Sequence, residues 1–209
     1  MNSFQRFVIR LATIFYPVKV IGAENLPSDG SMIVCNHLSS IDVVYIAKIF
    51  LHKQVNFVAK KELFENKFSN KILTSYGGIP IDRDNPKISS IIKIIKTIKS
   101  GKNMVIFPEG TRNKSGSTKL LPLKGGSGIF AIKAKSAIVP MIVYKRAKLF
   151  CKNFVCIGKP FYLDEFYNTE MTEEKIALTE QIISNKMKQV QDDLFTYIAS
   201  KKINKDKNK

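Results

Sequence analysis

Six short apolar runs punctuate the chain: 31–35 (SMIVC), 55–59 (VNFVA), 78–81 (GIPI), 103–107 (NMVIF), 137–143 (AIVPMIV) and 153–158 (NFVCIG). Each has strand length, so each predicts a buried strand. Between the runs the apolar period changes to that of a helix. From 86 to about 99, Ile88, Ile91, Ile92, Ile95 and Ile98 fall on one face, with Asp84 or Asn85 placed to cap and Pro86 suited to the first turn. A second helix is expected over 126–135, and a long third one from near Thr172, whose hydroxyl can cap a first turn holding Glu173 and Glu174. Its Ile176, Ile183, Met187, Val190, Leu194 and Ile198 recur at steps of seven, four and three, which lays one side on the rest of the protein. Strands alternating with helices predict a single α/β domain with a mixed, mostly parallel sheet flanked by helices.

The two ends depart from this pattern. The start, MNSFQRFVIRLATIFYPVKV, is apolar but broken by Arg10 and ended by Pro17, shorter than the roughly 20 apolar residues that cross a bilayer, and without a small-residue cleavage site. A short helix docked on the core explains it; so does an interfacial helix, with Phe4, Phe7, Val8, Leu11, Phe15 and Tyr16 on one side and Arg6 and Arg10 elsewhere. Residues 1–20 are therefore expected to form an amphipathic membrane-associating helix, 21–200 the folded domain, and 201–209 (KKINKDKNK) a basic flexible tail.

Charge narrows the partners. Thirty-four Lys and Arg against seventeen Asp and Glu give a net charge of +17, a field that attracts nucleic acid, anionic lipid or a phosphorylated metabolite. Cys35, Cys151 and Cys156 are odd in number and lack metal-type spacing, so neither a disulfide scaffold nor a metal site is expected, and a reducing cytosol is the simplest setting.

Three polar clusters follow directly on predicted strands: NHLSSID, DRDN and PEGTR. In open α/β sheets ligands bind there, beyond the carboxyl ends of strands. In the first cluster, a regular helix would turn His37 and Asp42 away from each other, so they meet only if the chain changes conformation between them. Ser39 or Ser40 can cap a new helix with Asp42 in its first turn; from there the carboxylate reaches back to one ring nitrogen and leaves the other free as a base. No protein nucleophile is needed if the substrate brings the hydroxyl. A hydrogen-bonded turn histidine and a helix-capping acid explain the same pair, and alone it does not decide between them. His52 has no acid nearby and reads as surface. In the second cluster Arg83 is either one half of a salt bridge or a phosphate clamp. In the third, Pro108 stops the sheet ladder, Gly110 permits close backbone approach, and Glu109 and Arg112 add opposite charges that can position a polyol and its phosphate. Lys124, in the glycine-rich run 123–128 that opens a helix, is a further candidate anion contact.

Together these residues resemble the glycerophospholipid acyltransferases, specifically the 1-acyl-sn-glycerol-3-phosphate acyltransferases. NHLSSID, GGIPIDR, FPEGTR and AIVPMIV, with Pro140, are similar to that family's four blocks and stand in its order. Ile79 and Ile81 depart from it, since many relatives place phenylalanine there. The resemblance implies acyl transfer from a thioester, of coenzyme A or of acyl carrier protein, to the hydroxyl of lysophosphatidic acid at the cytoplasmic face of the cell membrane, with no cofactor. It implies that His37 is the general base and Asp42 its orienting partner. Arg83 and Arg112 would hold the phosphate, Glu109 would order the glycerol or the neighbouring arginine, and Gly110, Thr111 and Lys124 would line the acceptor's seat. Another lyso-lipid or glycerol 3-phosphate is an alternative acceptor. A reading from a different class, a basic module binding anionic membrane or nucleic acid, explains the charge but leaves the polar clusters unused. Nucleic acid is not expected, because the phenylalanines lie mostly in apolar runs rather than interleaved with the bases.

Overall fold

The computed structural model describes residues 1–53, 55–82, 85–124 and 126–206, so Gln54, Arg83, Asp84, Gly125 and 207–209 lie outside the described residues. Among those described, one sheet holds β1 (Val18–Ile21), β2 (Met32–Cys35), β3 (Val55–Lys60), β4 (Gly78–Ile81), β5 (Asn103–Ile106), β6 (Ile138–Val143) and β7 (Asn153–Ile157), in the order β1-β7-β6-β2-β5-β3-β4. Only β6 and β7 pair antiparallel. Hence β1 and β7 run together against the other five, and the expected mixed, mostly parallel sheet is present. The six apolar runs became β2 to β7. The strand at 18–21 corrects the helix expected over 1–20, which ends at Phe15; its Val-Lys-Val alternation sits in a run of only four residues after Pro17, too short to stand out.

Alternation along each strand divides the core. Met32, Val34, Met104, Ile106, Ile138 and Ile142 face one side, under α4 (Ile88–Lys99), α5 (Ser127–Ala134) and α6 (Glu173–Asp206). Ile33, Cys35, Val105, Phe107, Met141 and Val143 face the other, under α2 (Asp42–Ile49) and α3 (Lys67–Ser75). α1 (Ser3–Phe15) lies over α2, where Ile9 packs with Ala47 and Leu51. Its first turn is closed by a reciprocal Asn2–Gln5 capping box, and the Gln5 amide then donates to Ser75 Oγ at 3.0 Å, pinning α1 to the end of α3. α3 was missed in the sequence. The signal was Asn66, whose side chain caps the Phe68 and Ser69 N–H groups, followed by Phe68, Ile72 and Leu73 at helical spacing.

Several local expectations need correction. α4 begins at Ile88 with no side-chain cap, and Pro86 precedes it. It turns Ile94 and Ile98 inward and leaves Ile88 and Ile92 exposed, because the sheet meets a face rotated from the stripe of isoleucines. α6 places Ile183, Met187, Val190, Leu194 and Ile198 in the core as its pattern predicts. It also continues to Asp206, into the segment expected as a tail. No helix among the described residues is long and apolar enough to cross a membrane.

Candidate functional site

The sheet's parallel strands β2 to β5 deliver their ends to one edge, and the site is built from the loops that leave it. Past β2, Asn36 is buried and behaves like one more ladder residue: its Nδ2 donates to Val143 O at 3.0 Å and its Oδ1 accepts from Val143 N at 2.7 Å. The loop then turns so that His37 Nδ1 lies 2.9 Å from Asp42 Oδ2. The same carboxylate oxygen accepts from the Leu38 and Ser39 N–H groups at 2.7 Å each, and Oδ1 accepts from Ser39 Oγ at 3.0 Å. Asp42 is therefore the cap of this turn. The expected serine cap is absent, as α2 starts after Ile41 with no side-chain bond to its N-terminus. His37 stacks on Phe107, with ring centroids 4.0 Å apart and planes 20° from parallel. With Nδ1 held by Asp42 and one face covered, Nε2 is the nitrogen left to act on a ligand.

Beyond His37 opens a cavity of about 690 Å³. Its walls are apolar, from Val8 and Ala12 of α1, Val43 and Val44 of α2, and Leu73 and Tyr76 beside α3. Lys60, Thr111, Arg112 and Lys114 supply its polar lining. Arg112 is oriented by a 2.7 Å bond from Nη1 to Ser40 Oγ. The structure thus brings His37, Asp42, Thr111 and Arg112 together, and adds Ser40, Lys60 and Lys114, which spacing alone did not single out.

Other candidates among the described residues do not line this cavity. Glu109 is buried under the loop, accepting hydrogen bonds from the backbone N–H groups of Leu121 and His37, and among the described residues no ion pair joins it to Arg112. Burial pushes its carboxyl up to about 7 despite those bonds. Its Oε2 has no hydrogen-bond partner. Gly110 adopts φ 66°, and a Cβ there would lie 2.6 Å from Lys124 Cδ, so the glycine seats the lysine's stem. Gly110 and Lys124 line a second, smaller apolar cavity of about 260 Å³ with Phe130 and Ile91. The anion contact expected at the start of α5 is already taken: Glu180 of α6 accepts from the Gly126 and Gly128 N–H groups and the Ser127 hydroxyl. Arg83 lies outside the described residues; beside it, Asp82 pairs with Lys61. Cys35 and Cys156 are buried free thiols, and no cluster of metal-ligand type occurs among the described residues.

A buried carboxylate orienting an imidazole at the mouth of an apolar cavity rimmed with cations can deprotonate a hydroxyl on an amphiphile that carries an anionic group. Residues 17–144 match the family model described as Acyltransferase. The chain is 34% identical over 187 residues to a 1-acyl-sn-glycerol-3-phosphate acyltransferase of Bacillus subtilis, covering 85% of this chain and 89% of that one. It is 36% identical over 154 residues to the Helicobacter pylori protein of the same name, covering 71% and 64%. Among solved structures, the 1-acyl-sn-glycerophosphate (LPA) acyltransferase PlsC of Thermotoga maritima shares the fold, with a TM-score of 0.67 over 90% of this chain and 77% of that one at 24% identity. With its fold, its His37–Asp42 pair and these matches in agreement, this chain belongs to the acyltransferase family.

Proposed function

We propose that the protein transfers a fatty acyl chain from a thioester, of coenzyme A or acyl carrier protein, to the sn-2 hydroxyl of lysophosphatidic acid, giving phosphatidic acid. The observation that carries this reading is the His37–Asp42 pair opening onto an apolar cavity with Arg112 at its polar end, and a relative of similar length is named 1-acyl-sn-glycerol-3-phosphate acyltransferase. His37 Nε2 takes the proton as the acceptor's oxygen attacks the thioester carbonyl. Asp42 stabilises the imidazolium that results. Collapse of the tetrahedral intermediate expels the thiolate, which recovers the proton from His37, so the base is restored each cycle. The cavity receives the acyl chain, and Arg112 holds the phosphate. Glu109 supports the site from beneath by bonding the His37 backbone.

The reaction takes place at the cytoplasmic face of the membrane, with α1 as the contact. Phe4, Phe7, Val8, Leu11, Ile14 and Phe15 are all exposed along one side of it, and Leu149 and Phe150 extend the same surface. Tyr16, expected in that stripe, packs against the core instead. Phe150 is locked to the end of α1 by a 2.7 Å bond from its N–H to Phe15 O, its ring 5.7 Å from that of Phe15. The test is acyl transfer to lysophosphatidic acid by wild type and His37→Ala. Wild type should form phosphatidic acid, and the variant should lose roughly 10² to 10⁴ in rate while still binding vesicles. Absence of transfer by wild type to lysophosphatidic acid with either donor rejects the reading.

A further inference from the structure

A polar recess of about 350 Å³ adjoins the His37 cavity, lined by Leu38, Ser39, Ser40, Arg112, Lys114 and Arg146. Half of these residues are cations, and no acidic side chain is among them. Ser40, Arg112 and Lys114 also line the larger cavity, so the two spaces meet at the guanidinium that Ser40 orients. Arg146 belongs to none of the sequence clusters. It is nevertheless held in register with the base, because the three residues before it are each tied down. Val143 exchanges two hydrogen bonds with the Asn36 side chain, Tyr144 N donates to Phe154 O at 3.0 Å, and Lys145 O accepts from Asn153 Nδ2 at 2.7 Å. Asn36 and Asn153 are each 1% exposed, and Asn36 is the residue next to His37. One buried asparagine thus fixes the start of the Arg146 loop and the start of the catalytic loop together.

We propose that Arg112, Lys114 and Arg146 form the seat of the acceptor's terminal phosphate, with Arg146 selecting a phosphomonoester over a lysophosphodiester. The proposal deepens the lysophosphatidic acid reading above and rests on it. A phosphomonoester carries about −1.5 to −2 charge near neutral pH and three acceptor oxygens, which suit two planar guanidiniums and one ammonium. A phosphodiester brings a single charge and an additional substituent, so it leaves cations unmatched and must fit its headgroup among them. Coenzyme A also ends in phosphates, so the experiment separates donor from acceptor.

Glycerol 3-phosphate binding is measured by calorimetry on the full chain as wild type, Arg146→Gln and Arg146→Lys, alongside steady-state kinetics with lysophosphatidic acid and lysophosphatidylglycerol. Arg146 is exposed, so its replacement leaves the core intact. Arg146→Gln should weaken glycerol 3-phosphate about tenfold, raise the KM for lysophosphatidic acid by a similar factor with a much smaller change in kcat, and narrow the preference over lysophosphatidylglycerol. Arg146→Lys should fall between, and the donor KM should stay constant. No measurable binding by wild type, an affinity insensitive to Arg146, or a rise confined to the donor KM would each overturn the assignment. Arg146-dependent binding in a wild type that transfers no acyl chain supports the seat and rejects the reaction.

Discussion

At Asp42 one carboxylate receives the Leu38 and Ser39 N–H groups, the Ser39 hydroxyl and the His37 ring, all from within its own loop. Turn and base are consequently one unit. Asp42→Asn replaces acceptor oxygen by an amide that cannot serve all four donors. It should lower kcat by roughly 10² or more, with the wrong ring nitrogen protonated. It should also cost about 1–3 kcal/mol in stability, read from denaturant unfolding, because buried N–H groups lose their partner. Glu109 makes a second residue-level prediction. Its folded pKa lies near 7 against an ordinary 4.5, so in that window the folded protein holds a proton that the unfolded chain releases. Its contribution to stability is present in full below the lower value and is lost as pH rises through the upper one. Thermal melts across that range should show wild type losing stability relative to Glu109→Gln; parallel curves would contradict the assigned cause. His37 and Asp42 were legible as a pair of residue types, whereas the inward turn of Glu109 was not, since a loop motif does not reveal which side faces the core.

The helices show how differently an element can use the same amphipathic pattern. On α6 the apolar stripe meets the sheet, and every interior position from Ile183 to Ile198 is covered. On α1 the docking face is made by Gln5 and Ile9, while the phenylalanines point away from the protein. A stripe that strong left uncovered is the surface expected to enter a lipid interface. Burying a phenylalanine is worth about 1.5–3 kcal/mol. Changing both Phe4 and Phe7 to Ser should therefore reduce vesicle partitioning at least about tenfold in a co-sedimentation assay, with the fold unchanged by circular dichroism. Partitioning equal to wild type would remove α1 from the contact. At the other face, Glu180 occupies the start of α5, so a glycine-rich run that looked suited to a substrate anion serves an internal one.

Across the whole molecule the charge of +17 now has a geometry. Arg112, Lys114 and Arg146 gather at the site, and exposed Arg10 and Lys148 accompany the apolar rim. Attraction of this kind is screened within a Debye length, about 10 Å at 0.1 M salt. Association with anionic vesicles should accordingly weaken as salt rises and be much less for neutral vesicles, while the apolar contribution of α1 persists; salt-independent binding would count against a role for the charge.

The β-branched runs and the residues that follow them determined six strands, the α/β class and the His37–Asp42 pair, because strand burial and loop chemistry are written in local period and residue type. Distance in the chain hid the rest. Asn36 meets Val143 and Glu180 meets α5 only once the sheet and α6 have packed. The apolar groove needs α1, α2 and α3 assembled around His37. Arg146 carries no motif at all and gains its place from two buried asparagines. Local periodicity reports which face of an element is apolar. Which partner covers that face, or whether it stays open for a lipid, is settled by the packing of elements far apart in sequence.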